Sequence, residues 1–127
     1  DSFRRLSTKS IKFRRKGAFR AGVSLGECLR NVRLSGNDSY TFYDMNVDAR
    51  NKIYMRVSWT GYRTMTYEIP MQGYGGRIDL QALARRVARA CMHYLQANAM
   101  PIPWDRVVLH HLEEVSVGVW QPVMTTS

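Results

Sequence analysis

"KIYMRVSWTGYRTMTYEIPM", residues 52–71, decides how the chain is read. Apolar and polar residues alternate on both sides of the turn "TGY", the period of a strand with one buried face. Setting Val57 opposite Met65 across a loop at Thr60, Gly61 and Tyr62 brings Met55 against Tyr67 and Ile53 against Ile69. Every odd-numbered residue then shares one face, and a slip of one residue would turn that face over. The preceding stretch "YTFYDMNV", residues 40–47, alternates in phase with it across the turn "DARN": Val47 opposes Ile53, Met45 opposes Met55 and Tyr43 opposes Val57. A three-stranded antiparallel meander is expected. Its other face would carry Tyr40, Phe42, Asp44, Tyr54, Arg56 and Glu68, with Asp44 and Arg56 as a cross-strand ion pair.

Beyond the meander, "DLQALARRVARACMHYLQANAMP" at residues 79–101 changes period from two to 3.6. Asp79 is placed as an N-cap, Leu80, Leu83, Val87, Cys91 and Leu95 form a buried stripe, and Pro101 bars continuation. Arg85, Arg86, Arg89 and His93 take the opposite face. The last stretch, "DRVVLHHLEEVSVGVWQPVM" at residues 105–124, reads as one long bulged strand or as a hairpin broken near "HHLEE", with Val115, Val117 and Val119 turned inward. Upstream, "VSLGECLRNV" at residues 23–32 offers Ser24 and Glu27 as a capping box for a short helix. Together these elements predict an α+β fold: an antiparallel sheet, made of the meander plus a C-terminal strand or hairpin, packed by one main α-helix.

Charge divides the chain unevenly. Of the net +9 carried by 127 residues, residues 1–20 hold Arg4, Arg5, Lys9, Lys12, Arg14, Arg15, Lys16 and Arg20 against Asp1 alone, whereas the other 107 residues balance to +2. A basic N-terminal arm over residues 1–20, followed by a single domain over residues 21–127, is the expected organisation. Within the arm, "SIKFRRK" at residues 10–16 alternates, so it reads as a short extended segment laying Ile11 and Phe13 on an apolar surface. "RRLS" has the spacing that basophilic kinases accept at Ser7. Asp1 in place of a Met start is expected of a processed or trimmed chain. Neither a long apolar run nor a signal-peptide core occurs in these residues.

Such concentrated charge points to a polyanion. The eight arm cations could displace counterions from a nucleic-acid backbone, with Arg85, Arg86 and Arg89 extending the basic surface onto the helix. Tyr40, Phe42 and Tyr54 on the outer sheet face are candidates for base stacking, which would favour single-stranded DNA or RNA. The alternative polyanion is an anionic membrane, with Phe3, Leu6, Ile11 and Phe13 as wedges between the charges. The layout resembles, in outline only, small matrix, movement and silencing-suppressor proteins of viruses.

Catalytic and cofactor chemistry finds little support. "GYGGR" at residues 73–77 precedes a helix but lacks the Lys and Ser or Thr of a phosphate loop, and Asp79 would repel an anion. Cys28, Cys91, His93, His110 and His111 have no metal-ligand spacing, and a tandem His pair in a strand diverges unless a bulge intervenes. Glu113 and Glu114 diverge likewise, and no nucleophile elbow is present. No cofactor and no metal are expected. Two cysteines far apart fit buried thiols in an intracellular, reducing compartment, cytoplasm or nucleus. The sequence-based expectation is thus a non-enzymatic nucleic-acid-binding protein that forms homo-oligomers, with a matrix-like structural or assembly protein as the alternative.

Overall fold

A computed structural model describes residues 9–37 and 39–126. Its sheet is mixed. Strands β1 (Ser10–Lys12), β2 (Val23–Ser24), β3 (Lys52–Val57), β4 (Met65–Pro70), β7 (Val107–Ser116) and β8 (Val119–Thr126) form it in the order β1-β7-β8-β3-β4, with β2 also on the outer edge of β7. Strands β5 (Gly73–Tyr74) and β6 (Arg77–Ile78) make a separate small ribbon. The helices are α1 (Leu25–Leu29) and α2 (Leu80–Ala97). None is long and apolar enough to cross a membrane among the described residues.

The central hairpin has the register that its alternation dictates: Ile53 pairs with Ile69, Met55 with Tyr67 and Val57 with Met65. Ile53, Met55 and Val57 are buried, while Arg56, Thr66 and Glu68 face outward. Against this buried face lies α2, through the predicted stripe of Leu80, Leu83, Val87, Cys91 and Leu95, all buried. Asp79 caps it by accepting from the Ala82 N–H at 3.2 Å. The Ser24 and Glu27 capping box of α1 is reciprocal, with both bonds 3.1 Å long. α1 packs beside α2, and each side contributes a free, buried cysteine, Cys28 and Cys91.

The expected first strand of the meander is not a strand. Thr41 and Asp44 bond each other's backbone instead, the Thr41 N–H to Asp44 Oδ2 at 2.9 Å and the Asp44 N–H to Thr41 Oγ1 at 3.0 Å. Those local bonds close a turn and outcompete a ladder, and Asn46 follows with φ 54°. Residues 40–42 pair with the β5–β6 ribbon: Ile78 N–H donates to Tyr40 and Phe42 N–H to Gly76. The ribbon turns at Gly75 and Gly76 (φ 60° and 79°), and its strands approach so closely at Gly73 that a Cβ there would collide with the Arg77 carbonyl oxygen. Beside β3, the vacated place is taken by β8, which runs parallel to it through Tyr54 with Val119 and Met55 with Trp120. Asp44 consequently makes no pair with Arg56. The ion pairs among the described residues join Arg15 to Glu27, Lys52 to Glu68 and His111 to Glu113.

The C-terminal hairpin turns at Val117 and Gly118 rather than near "HHLEE". Val117 is exposed at that turn, and Val115 and Val119 are half-buried on the outer face, so the inward trio is corrected. The inward positions belong to Leu109, Leu112, Glu114 and Trp120. A bulge between Leu109 and His111 inserts His110 as an extra residue and leaves both Leu109 and Leu112 on the core side. Buried Glu114 accepts from Asn46 Nδ2 at 2.7 Å and from the Gly118 N–H at 2.9 Å, tying the turn to the 40–47 loop.

Within the expected arm, Ser10–Lys12 is strand β1 of the sheet. β1 pairs with β7 through Ile11 and Leu112, and Ile11 and Phe13 are 2% and 0% exposed in the core. Arg4, Arg5, Phe3, Leu6 and Ser7 lie outside the described residues.

Candidate functional site

Between β1 and β2 the chain leaves the sheet in a loop whose neck is closed twice. Phe13 donates to the His110 carbonyl at 3.0 Å, and Gly22 donates to the Phe13 carbonyl at 2.8 Å. The loop's outgoing limb carries Arg14, Arg15 and Lys16. It is zipped to residues 33–35, which leave α1: the Lys16 N–H donates to the Arg33 carbonyl at 2.9 Å and the Ser35 N–H to the Arg14 carbonyl at 2.8 Å. Two short segments, separated in sequence by the loop and α1, thus lie side by side. An open groove of about 610 Å³ runs along them, lined by Arg15, Lys16, Gly17, Ala18, Val32 and Arg33.

Its electrostatics are one-sided. Residues 9–37 contain eight Lys and Arg side chains and a single carboxylate, Glu27. Glu27 engages Arg15 at 3.3 Å. Arg14 is committed to the fold: its guanidinium donates to Ser35 Oγ at 2.8 Å and to the Ala18 carbonyl. Lys16, Arg20 and Arg33 are exposed, and their side chains make no hydrogen bond or ion pair among the described residues. Their charge is directed to solvent. At the tip of the same loop stands Phe19, fully exposed at 103%.

The segment at residues 33–35 touches α2 at its first turn. Gln81 on the first turn of α2 accepts from the Leu34 N–H at 3.4 Å, so the basic ribbon abuts the helix there. Arg85 and Arg89 follow at successive fourth positions from Gln81 and continue along that side. Arg86 and His93 point elsewhere: Arg86 donates to Gln72 Oε1 at 2.8 Å, and His93 bonds the Tyr67 hydroxyl at 2.8 Å on the flank beside β4. Arg85 and Arg89 thus share the side of α2 that begins at Gln81, beside Leu34, and Arg86 does not. Lys9 and Lys12 sit apart. Lys9 donates to the Asp44 carbonyl at 3.0 Å, and Lys12 lies on the outer sheet face in register with His111.

The three aromatics expected to stack bases are not brought together. Tyr40 and Phe42 are half-buried against the core beside the β5–β6 ribbon, and Tyr54 lies on the outer face of β3. Among the described residues the fully presented rings are Phe19, Tyr43 and Tyr74. Sequence reading missed Arg33 and Phe19. Charge counting over residues 1–20 stopped short of "CLRNVR", and nothing local announces that residues 33–35 return beside residues 14–16.

Other candidate chemistry is structurally accounted for. The cleft at the α2 N-terminus, lined by Asn37, Gln72, Tyr74, Arg77 and Asp79, offers an anion no free helix donors. Leu80 N–H donates to the Asn37 carbonyl, Gln81 N–H to Asn37 Oδ1 at 2.8 Å, Ala82 N–H to Asp79 Oδ1 and Leu83 N–H to the Asp79 carbonyl. The bulge turns His110 and His111 to one face, where they bond Thr125 and Glu113 respectively. Among the described residues no group of three or more His, Cys, Asp or Glu side chains converges as a metal site. Burial pushes both thiols, Cys28 and Cys91, up to about 12, which removes nucleophilic thiolate at neutral pH.

Residues 1–126 match the family model described as "Domain of unknown function (DUF6741)". The chain belongs to the DUF6741 family. No curated protein and no solved structure matches it. Within this DUF6741 chain, the groove between the loop at residues 14–22 and residues 32–34 is thus the place where charge, exposure and a shaped concavity coincide.

Proposed function

We propose that the protein is a non-enzymatic nucleic-acid-binding protein whose basic groove holds a phosphate backbone, with Arg85 and Arg89 extending the contact along α2. The observation that carries this reading is the zippering of residues 14–16 to residues 33–35, which concentrates Lys16, Arg20 and Arg33 around one open groove. Phosphate contact by such cations is sequence-independent and salt-sensitive. Self-association belongs to the same proposal. It is supported by half-exposed Val108, Val119 and Val123 on the outer sheet face. Two free buried cysteines suit a reducing compartment.

The alternative, a matrix-like assembly protein on an anionic membrane, draws on Phe19 as an apolar wedge among cations. It is weakened by Ile11 and Phe13, which are core residues and unavailable to lipid. Titrating the protein into labelled DNA and RNA strands, and in parallel into vesicles containing phosphatidylserine, separates the two. Micromolar or tighter, salt-sensitive binding to nucleic acid is expected. Absence of nucleic-acid binding at low salt would refute the proposal.

A further inference from the structure

A fully exposed phenylalanine is ordinarily a liability, yet the loop that bears Phe19 is braced. Its neck is closed by the Phe13 and Gly22 backbone bonds, Ala18 N–H donates to the Arg15 carbonyl at 3.0 Å, and Arg14 bridges the Ala18 carbonyl to Ser35. Two left-handed glycines, Gly17 (φ 87°) and Gly22 (φ 132°), supply the bends on either side of the tip. At Gly22 a side chain would also press on His110 and Val108. The loop thus carries the ring outward, between Lys16 and Arg20 in sequence, both exposed, and next to Ala18, which lines the groove.

We infer that Phe19 is a base-stacking residue, and that it makes the groove select single-stranded over double-stranded nucleic acid. The inference rests on the nucleic-acid reading above. A strand whose phosphates lie along Lys16 and Arg33 presents its bases outward, and an unstacked base offers its π-face to an aromatic ring at the groove's edge. In a duplex those faces are occupied by neighbouring bases, so only the cations engage. The charge around the ring favours this occupant over an apolar peptide, whose docking would bury Lys16 and Arg20 without compensation. Stacking on a ring carried by a braced backbone avoids the entropy of ordering the loop.

The test compares oligo(dT) with a DNA duplex of equal length, using native protein, Phe19→Ala and Phe19→Trp, with phosphatidylserine vesicles as a third ligand. Removing one stack should weaken oligo(dT) binding by about fivefold to about 150-fold. Duplex affinity and the salt slope should stay unchanged, and the Trp variant should restore or exceed native single-strand affinity. Unchanged thermal melting of both variants establishes that the exposed position is not structural. Native-like oligo(dT) binding by Phe19→Ala overturns the inference while leaving the groove proposal intact. Loss of vesicle binding alone also overturns it and assigns the ring to a bilayer. Failure of the native protein to bind either nucleic acid removes the reading beneath it.

Discussion

Replacing Lys16, Arg20 and Arg33 together by Gln should flatten the salt dependence of nucleic-acid binding by an amount the structure sets. These three cations are exposed and make no side-chain partner among the described residues. Arg14 and Arg15, by contrast, are held by Ser35 and Glu27 and are discounted. Each phosphate neutralised on a single strand contributes about 0.7 to the slope of log affinity against log salt. Three such contacts give a slope change of about 2. Raising salt from about 50 to about 200 mM should therefore weaken native binding roughly 16-fold more than it weakens the variant. The assay is fluorescence anisotropy with oligo(dT) over that range, with thermal melting confirming that exposed charge removal leaves stability within about 0.5 kcal/mol. Replacing Arg50, Arg56 and Arg63 together by Gln, three exposed cations away from the groove, serves as the charge-matched control. Parallel slopes for the triple variant and native protein would refute the reasoning. So would an equal loss from the control triple variant.

Other consequences concern the fold that presents the groove. Phe13 is fully buried at the loop's neck, so Phe13→Ala should cost about 3–5 kcal/mol in chemical denaturation; a loss below about 0.5 kcal/mol would mean that this segment is an appendage. Cys28 and Cys91, with pKa values pushed up to about 12 by burial, should resist alkylation at mildly alkaline pH in the native state and react once the chain is unfolded in urea. Rapid native-state labelling would contradict the packing of α1 on α2. Hydrogen bonds from the Thr41 backbone and side chain hold the Asp44 carboxyl below its ordinary 3.8. The stabilisation it lends is therefore complete above that ordinary value and is lost as pH falls through the lower folded value. Asp44→Asn should lessen the acid-side fall in stability measured by urea unfolding between about pH 5 and about pH 2.5, and an unaltered acid limb would show that the turn's bonds do not favour the carboxylate.

How far these features could be read from the chain depends on how local their causes are. The β3–β4 register was legible because alternation on two adjacent strands admits one common buried face, and α2 because a cap, a 3.6-residue stripe and a proline agree. Residues 40–47 alternate just as well, yet Thr41 and Asp44 satisfy each other's backbone and Asn46 turns the chain. Period alone does not weigh such bonds against a ladder. The parallel placement of β8 beside β3, which takes the same edge, joins segments more than sixty residues apart and leaves no local signature. A bulge was among the readings of the C-terminal stretch, but its position at His110, which turns both histidines to one face, has no local signature. For the groove, the density of charge at residues 12–20 was visible, whereas its partner limb was not. Arg33 becomes part of the surface only because α1 reverses the chain and Lys16 bonds its carbonyl.

Amide chemical-shift mapping during titration with oligo(dT) tests the groove most directly. The account predicts that the largest shifts cluster at residues 14–20 and 30–34, with a secondary set along α2 at Arg85 and Arg89. Shifts centred on the outer sheet face around Tyr54, Lys12 and His111, or no shifts at low salt, would contradict it.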